Sequence, residues 1–354
     1  MLKIGIVGLS QVGKTTFFRI ITRAHGTGLG AGRPEAHIGI VSVPDARLDR
    51  LSEMFHPQKT VHANIEYVDT PGSVIDLLRA GSQSATLREM QALVHVVRAF
   101  GEESADNLQA DIENVELELI LSDLAVAEKR LERLEKDIKK QKNPALEQEL
   151  HALQMCKAAL EKQKPLREVD LAPERERAVR GFTFLSQKPM LYILNLDEKD
   201  AARTDAAEEF AARAGLKHHP KTMVTAVCGK VEAELAELSD AEAQDFMASF
   251  GIRESAIARV IRSSYQLLGL ISFFTVGEDE CRAWNLRLGA TAWEAAGEIH
   301  SDIQRGFIRA EVVSYEDLIA AGGLVEARSR GRLRLEGKEY VVKDGEIVHF
   351  RHSA

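Results

Sequence analysis

The sequence predicts an α/β fold in which a mostly parallel β-sheet is covered by helices, with a helical insertion and a smaller domain at the carboxyl end. Short apolar runs rich in β-branched residues alternate with helical patterns, which is typical of a parallel sheet covered by helices. The predicted strands are Leu2–Val7, Ile38–Val43, Ile65–Val68, Val94–Val97, Leu191–Leu194 and Thr222–Val227. The helical insertion is predicted from a long charged stretch, and the smaller domain is predicted from a change of pattern near the carboxyl end.

The charged stretch lies between the fourth and fifth predicted strands. From Asp111 to Lys164 there is no glycine, and apolar residues recur in a 3-4 alternation from Leu117 to Ile138. This spacing predicts a coiled-coil seam. Asn143 and Pro144 then suit the cap and first residue of a second helix. We predict an antiparallel helical hairpin, whose charged outer face is either solvated or in contact with RNA.

The pattern changes again after about Ile271. Short strand-like runs alternate with turns, and the stretch ATAWEAAGEIHSDIQ is helical in pattern. This predicts a small α+β domain of ordinary size. The predicted domains are residues 1–104 and 179–272 for the two parts of the sheet domain, 105–178 for the hairpin and 273–354 for the small domain.

Composition limits the classes of function. The chain has 354 residues, 45% of them hydrophobic, and a formal net charge of −8, which argues against a protein that holds nucleic acid through overall positive charge. We therefore expect no DNA partner. Three scattered cysteines form no C-x-x-C pair, which fits a reducing cytoplasm. No apolar run reaches the roughly 18 residues of a membrane span, so we expect a cytoplasmic protein without a membrane partner.

The first chemical motif follows the first strand. GLSQVGKT, from Gly8 to Thr15, matches G-x-x-x-x-G-K-[ST] and precedes a helical pattern. Gly8 and Gly13 let backbone N–H groups surround a β-phosphate, and the helix that begins near Lys14 adds its positive end. Lys14 supplies a cation, and the Thr15 hydroxyl suits Mg²⁺. The loop predicts a P-loop nucleoside triphosphate site. Its expected nucleotide-binding residues are Gly8, Ser10, Gln11, Val12, Gly13, Lys14, Thr15 and Thr16.

The second motif is the stretch NIEYVDTPGS. Asp69 at the end of a strand can hold Mg²⁺ through water, and Gly72 can offer its N–H to the γ-phosphate. Ras-like GTPases place a water-orienting glutamine where this chain has Ser73, so we expect slow or assisted hydrolysis. The expected catalytic residues are Lys14, Thr15, Asp69 and Gly72, with Thr15 and Asp69 as the Mg²⁺ ligands.

The third motif is expected to contact the base of the nucleotide. Guanine-specific GTPases have N-K-x-D after a late strand, and its aspartate accepts hydrogen bonds from guanine. Here the stretch begins at Asn195, leucine (Leu196) replaces the lysine, and Glu198 stands in place of the aspartate. Weakened selectivity for guanine is therefore expected. Cys228 and Gly229 follow the next strand, where such proteins close over the base with backbone groups.

These motifs together resemble the YchF family of Obg-like ATPases along nearly the whole chain. The phosphate loop, VSVPDARLDRL, the hairpin and N-x-x-E occur in that family's order, and Phe273–Arg351 is similar to its TGS domain, a ubiquitin-like β-grasp module. The resemblance implies a P-loop domain with a coiled-coil insertion and a TGS domain. It also implies hydrolysis of ATP in preference to GTP, recognition of the base by Asn195, Leu196 and Glu198, and association with ribosomes.

The chain departs from the family around the phosphates. Ser10-Gln11 stands where the family usually has Pro-Asn. RPEAH replaces the family's T-I-E-P-N stretch, so Arg33 stands at the position of the family's threonine that is linked to magnesium. Arg33 is either an internal arginine finger or a solvated loop residue.

The expected function is slow Mg²⁺-dependent hydrolysis of ATP, with GTP also accepted, in a switch that associates with the ribosome or with ribosomal RNA through the TGS and helical domains. The alternatives are a GTPase of the same fold and a nucleotide-gated binding module with negligible hydrolysis. Four arginines of the small domain form a basic face for phosphate, or are simply solvated. They are Arg305, Arg309, Arg332 and Arg334.

Overall fold

The computed structural model describes residues 2–30, 37–70, 72–80, 84–101, 104–140, 143–216, 221–252 and 254–353. Its strands are β1 (Lys3–Val7), β2 (Gly26–Gly30), β3 (His37–Ser42), β4 (Lys59–Val61), β5 (Asn64–Asp69), β6 (Ala92–Ala99), β7 (Met190–Leu196), β8 (Thr222–Val227), β9 (Leu270–Thr275), β10 (Glu280–Arg287), β11 (Phe307–Val313), β12 (Arg334–Glu336) and β13 (Ile347–His352).

Its α-helices are α1 (Lys14–His25), α2 (Ala46–Phe55), α3 (Val74–Ala80), α4 (Ser84–Glu89), α5 (Ser104–Lys140), α6 (Pro144–Leu160), α7 (Pro173–Val179), α8 (Ala207–Arg213), α9 (Gly229–Leu235), α10 (Asp240–Ser249), α11 (Ala256–Leu267), α12 (Ala292–Ile299), α13 (Ser301–Arg305), α14 (Tyr315–Ala321) and α15 (Leu324–Ser329). Short 3₁₀ segments span Leu166–Glu168, Arg180–Phe182 and Glu198–Ala206.

Two compact units divide the chain. The first comprises Met1–Val41 and Glu66–Leu267, and the second comprises Ser42–Ile65 and Leu268–Ala354. The predicted boundaries assigned residues 42–65 to the sheet domain, whereas in the structure this segment groups with the carboxyl-terminal residues. The second unit is therefore built from two segments that are far apart in the sequence.

The first unit is built on a sheet with the strand order β2-β3-β5-β1-β6-β7-β8. Neighbouring strands in the run β5-β1-β6-β7-β8 pair in parallel, whereas β2 and β3 pair in antiparallel fashion. Apolar side chains fill the strand interiors because helices cover a parallel sheet on both faces. The carboxyl ends of parallel strands meet at one edge of a sheet, and this brings the predicted motifs together.

The helical hairpin consists of α5 and α6, as predicted. Asn143 caps α6 by accepting a hydrogen bond from the backbone N–H of Ala145 at 2.9 Å, and Pro144 is the first helical residue. Arg130 joins the two helices through hydrogen bonds of 2.7 and 2.9 Å to the Glu149 carboxylate. The buried core of the hairpin includes Ile120, Ala127, Leu131, Leu134, Leu153, Cys156 and Leu160. The residues of the connecting turn, 141 and 142, lie outside the described part of the chain.

The second unit contains a mixed sheet with the strand order β12-β11-β13-β9-β10-β4. Helix α12 packs on a core that includes Phe273, Val312 and Phe350, and begins with a capping box between Thr291 and Glu294. From the early segment, β4 pairs in parallel with β10, and α2 buries Leu48 and Leu51. These observations confirm the predicted fold class, including the small β-rich domain at the carboxyl end.

Among the residues described, no helix combines the length and the apolar character that crossing a bilayer would need.

Candidate functional site

The phosphate loop connects β1 to α1 and depends on two glycines. Gly8 has φ +149° and Gly13 has φ +101°, values that strain any residue with a Cβ. Space is also lacking, because a Cβ at Gly8 would lie 2.5 Å from the carbonyl oxygen of Val96, and one at Gly13 would lie 2.5 Å from Nδ2 of Asn195. Gln11 also has positive φ, at +62°. The loop conformation therefore favours glycine at both Gly8 and Gly13.

Lys14, the first residue of α1, is buried and its ammonium group lies over the loop. Its Nζ donates a hydrogen bond to the carbonyl oxygen of Leu9. Burial lowers the pKa of Lys14, and the nearby Asp69 carboxylate opposes this change. An ammonium group held in this way can exchange a loop carbonyl for phosphate oxygens.

Asp69 and Thr15, the predicted pair of metal ligands, lie next to each other. The Thr15 hydroxyl donates to Oδ2 of Asp69 at 3.2 Å. The register of β1 and β5, Ile6 opposite Asp69, brings the end of β5 beside the loop. Asp69 is 1% exposed, and its Oδ1 has no hydrogen-bond partner among the described residues. Burial raises the pKa of Asp69, although Thr15 and Lys14 oppose the rise.

This arrangement fits a divalent cation. A buried carboxylate oxygen without a partner is costly, and a hard cation would satisfy it. Thr15 supplies a second hard oxygen ligand at the same place. Thr15 and Asp69 are therefore the residues that could hold Mg²⁺.

The segment after β5 also approaches the loop. The backbone N–H of Val74 donates to the carbonyl oxygen of Gly8 at 3.1 Å. Gly72 has φ +85°, and a Cβ built there would meet no atom within 4 Å, so its conformation rather than space favours glycine. Ser73 is buried, and its hydroxyl accepts from the N–H of Ile75 at 3.3 Å. Its side chain thus supports the first turn of α3.

Asn195, near the carboxyl end of β7, joins two loops. Its Nδ2 donates to the carbonyl oxygen of Val12 at 3.1 Å, and its Oδ1 accepts from the N–H of Gly229 at 3.0 Å. A Cβ at Gly229 would lie 3.1 Å from Oδ1 of Asn195. The amide therefore fixes the phosphate loop relative to the start of α9.

The other residues predicted to contact the base differ in their surroundings. Leu196 is 3% exposed and packs in the core of the sheet, so its contact with a base stays a prediction. Cys228 is also buried, and burial raises the pKa of its thiol. Glu198 is exposed and accepts a hydrogen bond from Nζ of Lys230 at 2.6 Å. Lys230 was not among the predicted site residues.

The remaining loop residues and Arg33 complete the predicted set. Ser10, Gln11 and Thr16 are exposed at the loop and at the start of α1, whereas Val12 is buried. Arg33 lies outside the described residues.

A buried histidine next to the loop was also missed. His95 on β6 lies opposite Val7, the last residue before the loop. It is 1% exposed, and burial, with a smaller effect of Lys14, lowers its pKa to about 3. The signal in the sequence is a single histidine within the apolar run LVHVV.

The predicted basic face of the small domain is largely neutralised. Arg305 pairs with Asp302, Arg332 lies 3.7 Å from Asp317, and Arg334 lies 2.7 Å from Glu346. Three of its four arginines therefore have acidic partners within the second unit.

Fold and site together define a P-loop nucleoside triphosphatase. The "Ribosome-binding ATPase YchF" of Bacillus subtilis (strain 168) is 42% identical over 361 residues, which cover 98% of each chain. The chain belongs to the YchF family, which confirms the resemblance predicted from its motifs. The "Ribosome-binding ATPase YchF" of Escherichia coli O157:H7 is 40% identical over 366 residues, again 98% of each chain.

Family models and a solved structure agree with this assignment. A model described as "50S ribosome-binding GTPase" matches residues 3–142. The YchF GTPase carboxyl-terminal model, described as "Protein of unknown function (DUF933)", matches residues 270–353. The structure of the Schizosaccharomyces pombe YchF GTPase has a TM-score of 0.85 and 29% identity, and the match covers 99% of this chain and 97% of that one.

Proposed function

We propose that this chain binds Mg²⁺-ATP, hydrolyses it slowly, accepts GTP less well, and changes its affinity for ribosomes with the bound nucleotide. The observation that carries the proposal is the buried Asp69 carboxylate beside the Thr15 hydroxyl, with one oxygen lacking a partner among the described residues. Such a group at the end of a strand next to a phosphate loop is suited to a nucleotide-linked cation.

The catalytic roles follow from position and charge. Thr15 and Asp69 would hold Mg²⁺, which neutralises charge on the β- and γ-phosphates. Lys14 would direct its ammonium group to the same oxygens, and Gly72 would offer its backbone N–H to the γ-phosphate. Ser73 is buried and much shorter than the glutamine usual at this position, so it is not expected to orient the attacking water. Without a side chain that orients the attacking water, slow turnover is expected.

The ribosome is the proposed partner because two relatives carry the name "Ribosome-binding ATPase YchF". The expected site of action is therefore the cytoplasm. Since the small domain's arginines are largely ion-paired, we give the hairpin at least an equal part in that contact. Its exposed face carries the charged residues Lys129, Glu132, Arg133, Glu135, Lys136, Lys139 and Lys140.

The test is hydrolysis by the purified full chain with Mg²⁺, with EDTA and with the Lys14→Ala variant. We expect turnover of ATP that EDTA and Lys14→Ala both abolish, and weaker binding of GTP in calorimetry. Co-sedimentation with ribosomes should differ between ATP-bound and ADP-bound protein. Unchanged uptake of both triphosphates by Lys14→Ala would contradict the proposal.

A second candidate function is a nucleotide-gated binding module with negligible hydrolysis. The presence of Ser73 at the position where a water-orienting glutamine is usual favours it. Single-turnover hydrolysis with and without ribosomes separates the two. A rate that ribosomes raise supports the switch, and one that stays near the uncatalysed rate in both cases supports the module.

A further inference from the structure

One ion pair lies where the base of the nucleotide is expected. Glu198 begins the 3₁₀ segment after β7, and Lys230 lies in the first turn of α9. Nζ of Lys230 lies 2.6 Å from Oε2 of Glu198, and the side chains are 66% and 44% exposed.

The backbone on both sides of this pair is fixed. Asn195 binds the N–H of Gly229 at 3.0 Å, immediately before Lys230. Asp197, immediately before Glu198, accepts from the N–H of Gly101 at 3.3 Å, and this hydrogen bond is the largest cause that lowers the pKa of Asp197. Asp197 is therefore engaged elsewhere, and Glu198 is the carboxylate facing Lys230.

The chemistry of the two purines makes this pairing important. Guanine presents two adjacent donors, N1–H and the 2-amino group, to which a free carboxylate is complementary. Adenine presents an acceptor at N1 and a donor at its 6-amino group, so an unpaired carboxylate opposite N1 is repelled. A carboxylate already bound to an ammonium group binds the two guanine donors less favourably. The ion pair itself offers both a donor and an acceptor. Specificity can thus come from blocking the wrong ligand.

We propose that Lys230 is a positioning residue for base selection, because its ammonium group occupies the Glu198 carboxylate and prevents that carboxylate from binding guanine. The inference rests on the proposed function and deepens it by naming how the purine is chosen. Lys230 acts here through Glu198 and needs no contact with the base.

The test is calorimetric titration of the full chain with non-hydrolysable ATP and GTP analogues in Mg²⁺. Lys230→Met keeps the aliphatic stem but frees Glu198, so we expect the affinity ratio of ATP to GTP to fall at least about threefold. Lys230→Arg keeps a cation opposite Glu198 and should therefore leave the ratio near that of the unmodified chain. The matched control is Lys199→Met, which removes another exposed lysine one residue after Glu198 and should leave the ratio unchanged.

A double variant tests whether Lys230 acts through Glu198. In the background Glu198→Gln the carboxylate charge is already gone, so Lys230→Met should cause no further change in the ratio. An unchanged ratio in Lys230→Met, or an equal effect of Lys230→Met in both backgrounds, would overturn the inference. If the unmodified chain bound neither analogue, the proposed function itself would fail, which is a different result.

Discussion

At the scale of single residues, the site depends on side chains that bind backbone groups. Asn195 was predicted to bind nucleotide, and the structure shows its amide joining Val12 to Gly229. The motif predicted Gly8 and Gly13 because their conformations are local to the loop. The Asn195 bridge and the contact of Lys230 with Glu198 could not be predicted in this way, because each joins segments that are far apart in the sequence.

Asp69 should reduce the stability of the nucleotide-free protein while serving the metal. Because burial raises its pKa, the charged form opposes folding at neutral pH, and this opposition fades as the pH falls through the raised pKa. We expect Asp69→Asn to raise the free energy of unfolding by about 1 kcal/mol at pH 7, with a gain that shrinks as the pH falls through the raised pKa. Urea unfolding across a pH series measures this.

The same variant should lose at least about tenfold in affinity for Mg²⁺-ATP. Calorimetry with and without Mg²⁺ provides the control, since binding without the metal should change much less. An equal loss under both conditions would contradict the assignment of Asp69 as a metal ligand.

His95 should make the protein sensitive to mild acid. Its pKa is lowered to about 3 in the fold from about 6.5 in an unfolded chain. The unfolded state therefore binds a proton first, and stability is lost as the pH falls from 6.5 towards 3, by up to about 1.4 kcal/mol per pH unit. His95→Phe should flatten this dependence in urea unfolding between pH 7.5 and 5. Parallel pH profiles for the two proteins would refute the prediction.

At the scale of elements, the hairpin shows which features are readable from sequence. Its seam and its Asn143 cap depend on residues within a few turns of each other, so spacing alone predicted them. The cap is a local hydrogen bond. By contrast, the carboxylate of Asp123 on α5 is fully buried and binds the N–H groups of Leu185 and Ser186 together with Arg88. Its partners are too distant in sequence for periodicity to identify them.

Substitutions in the seam should lower the free energy of unfolding more than substitutions on the exposed face of the same helix. Leu134 is fully buried in the hairpin core, whereas Leu121 is 46% exposed. We expect Leu134→Ala to cost about 2–5 kcal/mol through lost contacts and a cavity. Leu121→Ala, the matched control, should cost much less. Urea unfolding followed by circular dichroism at 222 nm measures both, and equal costs would contradict the assigned packing.

At the scale of the whole molecule, the second unit joins an early segment to the carboxyl-terminal residues. Strand β4 pairs with β10, Arg47 binds Asp344 at 2.7 Å, and Nδ2 of Asn285 donates to the carbonyl oxygen of Asn64 at 3.0 Å. For this segment the sequence predicted only the strands that overlap its two ends, Ile38–Val43 and Ile65–Val68, and neither α2 nor β4. Its membership of the second unit rests on long-range pairing, which no local pattern contains.

A substitution in that early segment should therefore destabilise the second unit. Both tryptophans of the chain, Trp284 and Trp293, lie in this unit, so their fluorescence reports on it. Leu51 is fully buried on α2, and we expect Leu51→Ala to lower the free energy of the fluorescence-detected transition by about 2–5 kcal/mol. Glu53→Ala, at an exposed position of the same helix, should have little effect. A fluorescence transition unaffected by Leu51→Ala would mean that the segment does not belong to this unit.

The split second unit also matters during synthesis. Gln58 and Asp279, which hydrogen-bond to each other, are 221 positions apart. At translation rates of about 5–20 residues per second, the early segment of a nascent chain waits roughly ten to forty seconds for its partner. During that interval Leu48 and Leu51 lack their native cover, so newly made chains should need chaperone protection until the final strands emerge.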